Sequence, residues 1–449
     1  MAITQMAPYL PNAILSRLTE ARERTDRIFN LLPPTSMYER PIPERHRLIF
    51  YLGHLEAFDW NLLALRLGLE PDSPELDKLF AFGIDPVDGG LPTDVPSDWP
   101  TIGHVQRYNR RVRTQLDDAL TRGAKVQSDP DLSSGKLLNV AIEHRLMHAE
   151  TLAYLLHALA LDKKVAHVPL AADSRPAPKP HQVAIPAGVA TLGQARGDSE
   201  AFGWDNEFEA ERVQVPSFSI DAFPVTNQEY LKFVHAGGYE DRSYWTPENW
   251  GWRQREDIKR PHFWHARAGS AASEQENEWD YCGMFGTIPL PPSWPVFVSH
   301  AEAAAFARWA GKRLPSEAQW HRAAYGNPKG GERAYPWGGE PPDSTRGNFH
   351  HESWEPSAVD AHPAGASAFG VWDLLGNGWE WTSTHFAPLR GFEPFPFYKG
   401  YSANFFDGKH FVMKGGSHRT DACMLRRSYR NWFQPHYPYI YATFRCVAD

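Results

Sequence analysis

Ile142-Glu143-His144-Arg145-Leu146-Met147-His148-Ala149-Glu150 lies inside an apolar segment, residues 137–159, that contains neither Gly nor Pro. Leu137, Leu138, Ile142, Leu146, Leu152 and Leu156 recur there at helical intervals, which predicts a buried helix. Residues four apart share a helix face, so His144 and His148 present two imidazoles side by side. That is the spacing of two ligands on one metal ion. An isolated pair of this kind is more often two core histidines bonded to their neighbours, and the chain has 20 His to draw from. A third histidine changes the balance. Residues 45–67 form a second helical pattern through Leu48, Leu52, Leu55, Phe58 and Leu62, and His54 lies on or beside that apolar face. A free charge there would be expensive to bury. Bundle helices can bring it to the other two, so His54, His144 and His148 are the expected metal site. Three neutral imidazoles with no nearby Cys leave about half an octahedron open. Zinc suits imidazole as well as iron does, so spacing alone does not choose the metal. His46 is read as a surface residue.

Outward from this site, 449 residues predict two or three domains. The net charge of −8, with no basic block, argues against nucleic acid and anionic membrane as partners. Three cysteines make no disulfide framework. No charged-then-apolar leader and no membrane-length apolar run is visible, so a cytoplasmic protein is expected. Helical patterns cover residues 12–32, 45–67, 102–120 and 132–161, which predicts an all-α four-helix bundle over 1–164. Residues 165–182 are Pro-rich and read as a linker. Residues 183–449 show Gly, Pro, Trp and short strand-like runs with one clear helix at 299–309, a loop-rich α+β domain.

That second domain carries specific motifs. They include Phe223-Pro224-Val225-Thr226-Asn227, Gly311-Lys312-Arg313-Leu314-Pro315-Ser316-Glu317, Tyr335-Pro336-Trp337-Gly338, Gly376-Asn377-Gly378-Trp379-Glu380-Trp381-Thr382, Gly415-Gly416-Ser417 and Phe444-Arg445. Any one is a tight turn beside a packed aromatic. In order and spacing together they resemble the formylglycine-generating-enzyme-like (C-type-lectin-like) domain. Formylglycine generation would need a copper-binding Cys pair after the Gly-Gly-Ser turn, and only Cys423 stands between Ser417 and Arg430. The first domain resembles a DinB-like bundle, whose signature is three histidines from two helices.

A DinB-like bundle followed by such a domain resembles the ergothioneine-pathway sulfoxide synthases (EgtB-like) over nearly the whole chain. The resemblance implies a non-haem Fe(2+) on His54, His144 and His148. It also implies three small-molecule substrates: O2, hercynine (trimethylated histidine) and a thiol. Arg430, Asn431 and Trp432 match the family's substrate-binding Arg-Asn-Trp. The family's γ-glutamylcysteine users carry Asp and Arg where this chain has Phe433 and Tyr437, which points instead to a compact thiol such as cysteine. Aromatic faces in this run suit a quaternary ammonium, which cannot donate hydrogen bonds. The family's catalytic tyrosine has no firm counterpart: its position falls on Phe397, leaving Tyr398, Tyr401 and Tyr439 as candidates. A bundle stretch where one subclass carries a Tyr pair corresponds to Phe80-Ala81-Phe82-Gly83. Related enzymes join a selenosugar to hercynine in selenoneine biosynthesis, and the missing charges suit that branch too. Two further classes stay open: a thiol-handling DinB-type metalloenzyme needing no O2, and a binding module with no catalytic metal.

Overall fold

The computed structural model describes residues 12–448 apart from 72, 82–90, 124, 166–167, 169, 198–201 and 268–278. The chain divides into two compact units, Met1–His167 and Val168–Asp449.

The first unit is helical: α1 (Asn12–Phe29), α2 (Leu48–Leu67), α3 (Pro74–Leu79), α4 (Ile102–Arg122), α5 (Pro130–Ser133) and α6 (Lys136–Ala158). α2 and α6 are buried on nearly every side, as apolar residues all round a helix require. α1 and α4 flank them, each burying one stripe, Val105, Val112, Leu116 and Leu120 on α4. The expected helix over 132–161 is broken at Gly135, whose φ of 75° ends the short α5 and starts α6. A Cβ at Gly135 would lie 2.9 Å from Ile14, so both conformation and packing require glycine there. α2 and α4 end on left-handed Gly68 and Gly123, the usual helix stop. Of the Phe80–Gly83 stretch, Phe82 and Gly83 lie outside the described residues.

The second unit is a loop-rich α+β fold. Its strands are β1 (Gln182–Ile185), β2 (Gly188–Leu192), β3 (Glu211–Val215), β4 (Phe218–Asp221), β5 (Trp264–Ala266), β6 (Trp279–Gly283), β7 (Gly286–Pro289), β8 (Trp379–His385), β9 (Phe411–Lys414), β10 (Asn431–Phe433), β11 (Ala442–Thr443) and β12 (Val447–Ala448). They form four small sheets, in the orders β1-β4-β12, β10-β9-β8-β11, β2-β3 and β5-β6-β7. Among the described residues four α-helices join them: α7 (Asn227–His235), α8 (Pro247–Arg255), α9 (His300–Trp309) and α10 (Glu317–Tyr325). Only α9 was expected; the other three span nine residues each, too short for a periodic stripe to stand out. Their start signals are nevertheless present: the Thr226 and Ser316 hydroxyls cap Glu229 and Gln319, which reach back to close capping boxes.

Several of the motifs meet in one buried knot. Arg445 forks onto Glu380 at 2.6 and 2.7 Å, and Trp320 donates to the same carboxylate at 2.9 Å. Gly415 (φ 96°) passes so close to Leu374 that a Cβ would lie 2.7 Å from its carbonyl oxygen. Asp173, in the stretch before β1, accepts from Trp294 Nε1 at 3.0 Å. No helix among the described residues is long and apolar enough to cross a membrane.

Candidate metal centre

α2 contributes His54 and α6 contributes His144 and His148, and all three side chains are buried. One nitrogen from each ring lies within 4.8 Å of those of the other two. This is the only such group of metal-ligating side chains among the described residues. His54 Nε2 and His148 Nε2 stand 3.2 Å apart. Two imidazole nitrogens each about 2.1 Å from one ion, at a right angle, would lie roughly 3.0 Å apart. The spacing therefore fits two adjacent coordination positions.

The protonation states fit as well. Burial pulls His54 down to about 4, against the opposing hydrogen bond to the Phe80 carbonyl. Burial first holds both His144 and His148 well below the ordinary histidine range, followed by His148, His54 and Arg145 at His144 and by His54, Arg45 and Arg145 at His148. All three rings are thus neutral near pH 7, the form that ligates. His54 Nδ1 donates to the Phe80 carbonyl at 2.7 Å, which leaves its Nε2 lone pair free to face the cluster. Among the described residues, His144 Nδ1 and His148 Nδ1 are buried without a hydrogen-bond partner, so neither Glu143 nor Glu150 accepts from them. Three convergent, buried imidazole nitrogens, with no thiolate or carboxylate among them, suit an iron-group or zinc ion.

Aromatic rings hold the imidazoles. Phe58 stacks on His144 with centroids 3.4 Å apart, and Phe50 stacks on His54 at 4.8 Å. Behind them lies an ionic network that the sequence reading missed. Arg145 donates to Glu56 at 2.8 and 3.0 Å, to Asp59 at 2.7 Å and to the Leu55 carbonyl at 3.0 Å. Arg113 from α4 bridges Glu56 (2.6 Å) and Asp26 on α1 (2.6 Å). Burial alone would raise Glu56, but Arg145 and Arg113 outweigh it and hold the carboxyl at about 2. The network ties α2 to α6, with Glu56 two residues from His54 and Arg145 directly after His144. A signal existed in sequence: Arg145, Glu56 and Asp59 all interrupt apolar helices, where a charge requires a partner.

In the second unit, Asn431, Trp432 and Phe433 form β10, paired antiparallel with β9 in the register Trp432↔Val412. Trp432 stacks on Phe386 (4.1 Å, 7°) and meets Tyr401 edge-on at 5.4 Å. Phe433 stacks on Tyr437 at 5.2 Å, so the two positions expected to lack charge form one aromatic pair. Arg430 is buried and forked onto Glu317 at 2.9 and 3.1 Å, and it also donates to the Ala387 carbonyl. Those contacts anchor β10. The three candidate tyrosines separate: Tyr398 and Tyr401 adjoin each other and Trp204, while Tyr439 packs against Tyr437 and His262. Both His418 nitrogens lie 3.1 Å from carbonyl oxygens, those of Asn377 and Trp354, and the neutral ring donates to one of them.

Comparison with known proteins agrees with this division. Residues 169–449 match the sulfatase-modifying factor enzyme 1-like domain, and residues 17–152 match the DinB superfamily. The chain is 33% identical to "Hercynine oxygenase" of Mycolicibacterium smegmatis, over 97% of this chain and 98% of that relative. It is also 33% identical to the protein of the same name from Mycobacterium tuberculosis, over 98% and 99%. "Ergothioneine biosynthesis protein 1" of Neurospora crassa is 29% identical over 93% of this chain and 56% of its own length.

Proposed function

The chain belongs to the hercynine oxygenase family, and from that premise we propose that it couples hercynine to a compact thiol such as cysteine, using O2 and an Fe(2+) held by His54, His144 and His148. The single observation that carries the metal part is the convergence of three buried imidazoles with two Nε2 atoms 3.2 Å apart. Iron(II), when bound, would supply the redox centre at which O2 is reduced. Written for a sulfoxide product, the hercynine C2–H and the thiol S–H are lost and a C2–S bond forms. One oxygen atom goes to sulfur and the other leaves as water, so the four electrons balance.

The chain's own residues hold the parts. His54, His144 and His148 leave about half of an octahedron for substrates. Asn431 and Trp432 bind hercynine, with the Trp432 ring offering a face to the trimethylammonium group. Arg430 acts through Glu317 by fixing β10 in register. Phe433 and Tyr437 form an uncharged aromatic pair, which offers an extra carboxylate on the thiol substrate no ionic partner. Tyr398, Tyr401 and Tyr439 are the proton-donor candidates. The same uncharged pair favours one second reading, a selenosugar donor giving a C–Se bond.

Iron-loaded protein incubated with hercynine and O2 tests this, with cysteine, γ-glutamylcysteine or a selenosugar as donor and mass spectrometry as readout. A joined hercynine–cysteine mass, several-fold above any γ-glutamylcysteine adduct, is expected. A joined mass with the selenosugar alone would establish the second reading. No joined mass with any donor would reject both.

A further inference from the structure

Gly53 sits in the middle of α2, where glycine is entropically unfavourable, and it directly precedes His54. Its neighbour explains it. A Cβ built on Gly53 would lie 2.5 Å from Phe80 Cε2 and Cζ and 2.6 Å from Cδ2. The Phe80 ring is fully buried and hemmed by Trp99 at 6.2 Å, Tyr108 at 6.3 Å and Phe50 at 6.4 Å. It cannot swing aside without displacing those rings. Phe80 also ends α3, where carbonyl groups lose their helical partners, and its oxygen accepts from His54 Nδ1 at 2.7 Å. Ring and carbonyl belong to one residue, so the contact at Gly53 sets where the acceptor stands.

We infer that Gly53 is a positioning residue of the metal centre: its missing side chain seats Phe80 against α2, so that the Phe80 carbonyl fixes the His54 tautomer and turns Nε2 toward the ion. The inference rests on the reading of the three histidines as a metal site. It assigns no chemistry to Gly53, which acts through Phe80 and His54.

Two measurements test it on the full chain. In metal-free, 15N-labelled wild type, with His54 assigned by its loss in His54→Asn, long-range 15N–1H correlation should show the Nδ1–H tautomer. An Nε2–H tautomer overturns the inference whether or not any Gly53 variant folds. Second, Co2+ titration followed by visible absorption should show one equivalent bound by wild type. Gly53→Ala should weaken that binding roughly tenfold to hundredfold, the usual effect of losing a ligand's orienting partner. In a Phe80→Ala background, where the clash is gone, the same substitution should change Co2+ affinity by less than about threefold. Equal Co2+ affinity and spectrum in Gly53→Ala and wild type overturns the inference. So does an equal loss in both backgrounds. Wild type that binds no Co2+ rejects the metal site itself, and the inference with it.

Discussion

Each imidazole of the triad has its own support: His54 a backbone acceptor, His144 a stacked Phe58, His148 a tilted Tyr51 ring. Alanine at any one should remove a coordination position, since no further metal-ligating side chain joins the group among the described residues. Metal analysis of His54→Ala, His144→Ala and His148→Ala is expected to fall from about one iron per chain to under a tenth of that. Retention of a full equivalent by any of them would remove that residue from the site. A second single-residue prediction concerns Asp373, which burial pushes up to about 8 despite a bond from Asn377 and the charge of Arg445. The folded state then holds a proton that the unfolded chain releases near pH 4. Its contribution to stability is full below that pH and is lost as pH rises toward 8. Asp373→Asn, a neutral isostere that tolerates the observed φ of 54°, should raise the urea midpoint at pH 8 and flatten its fall between pH 4 and 8. A midpoint at pH 8 below wild type would contradict this. The His144/His148 pair was legible because an i, i+4 spacing on an apolar helix needs no tertiary knowledge, and His54 joined it through the expected packing of bundle helices. Gly53 and Phe80 were not, because their relation exists only when α2 and α3 pack.

Between elements, the Arg145–Glu56–Asp59 cluster holds α2 against α6. Both carboxylates and the guanidinium are fully buried, so removing one partner strands the others. Arg145→Met is expected to cost about 3–5 kcal/mol, read as a lowered urea midpoint of the helical circular-dichroism signal. A change below about 1 kcal/mol would show that the network does not hold these helices. At this scale the long helices could be read from their apolar periods, and their ends from Pro33-Pro34, Gly68 and Gly123. Nine-residue α7, α8 and α10 escaped because two turns give too few repeats, although Thr226-x-x-Glu229 and Ser316-x-x-Gln319 announced two of them. The break at Gly135 was underweighted: its left-handed φ outweighed the apolar run on either side. The second unit was legible only through its motifs, whose meaning is the convergence of Trp320, Glu380 and Arg445 in one buried knot.

For the molecule as a whole, the proposal divides labour between two units that the chain joins near residue 168. Metal belongs to the first and hercynine recognition to the second, so substitutions in the two should fail differently. Trp432→Ala is expected to raise KM for hercynine at least tenfold while keeping one iron per chain. His144→Ala should lose the iron itself. A Trp432→Ala protein with unchanged KM would remove that ring from substrate binding. The account's central claim, that iron on three histidines spends O2 on joining two substrates, is tested most directly by oxygen uptake of the iron-loaded chain. It predicts rapid uptake only with hercynine and thiol both present, and one joined product for each O2 consumed. Product formed at the same rate without oxygen, or uptake with thiol alone that hercynine does not alter, would contradict it.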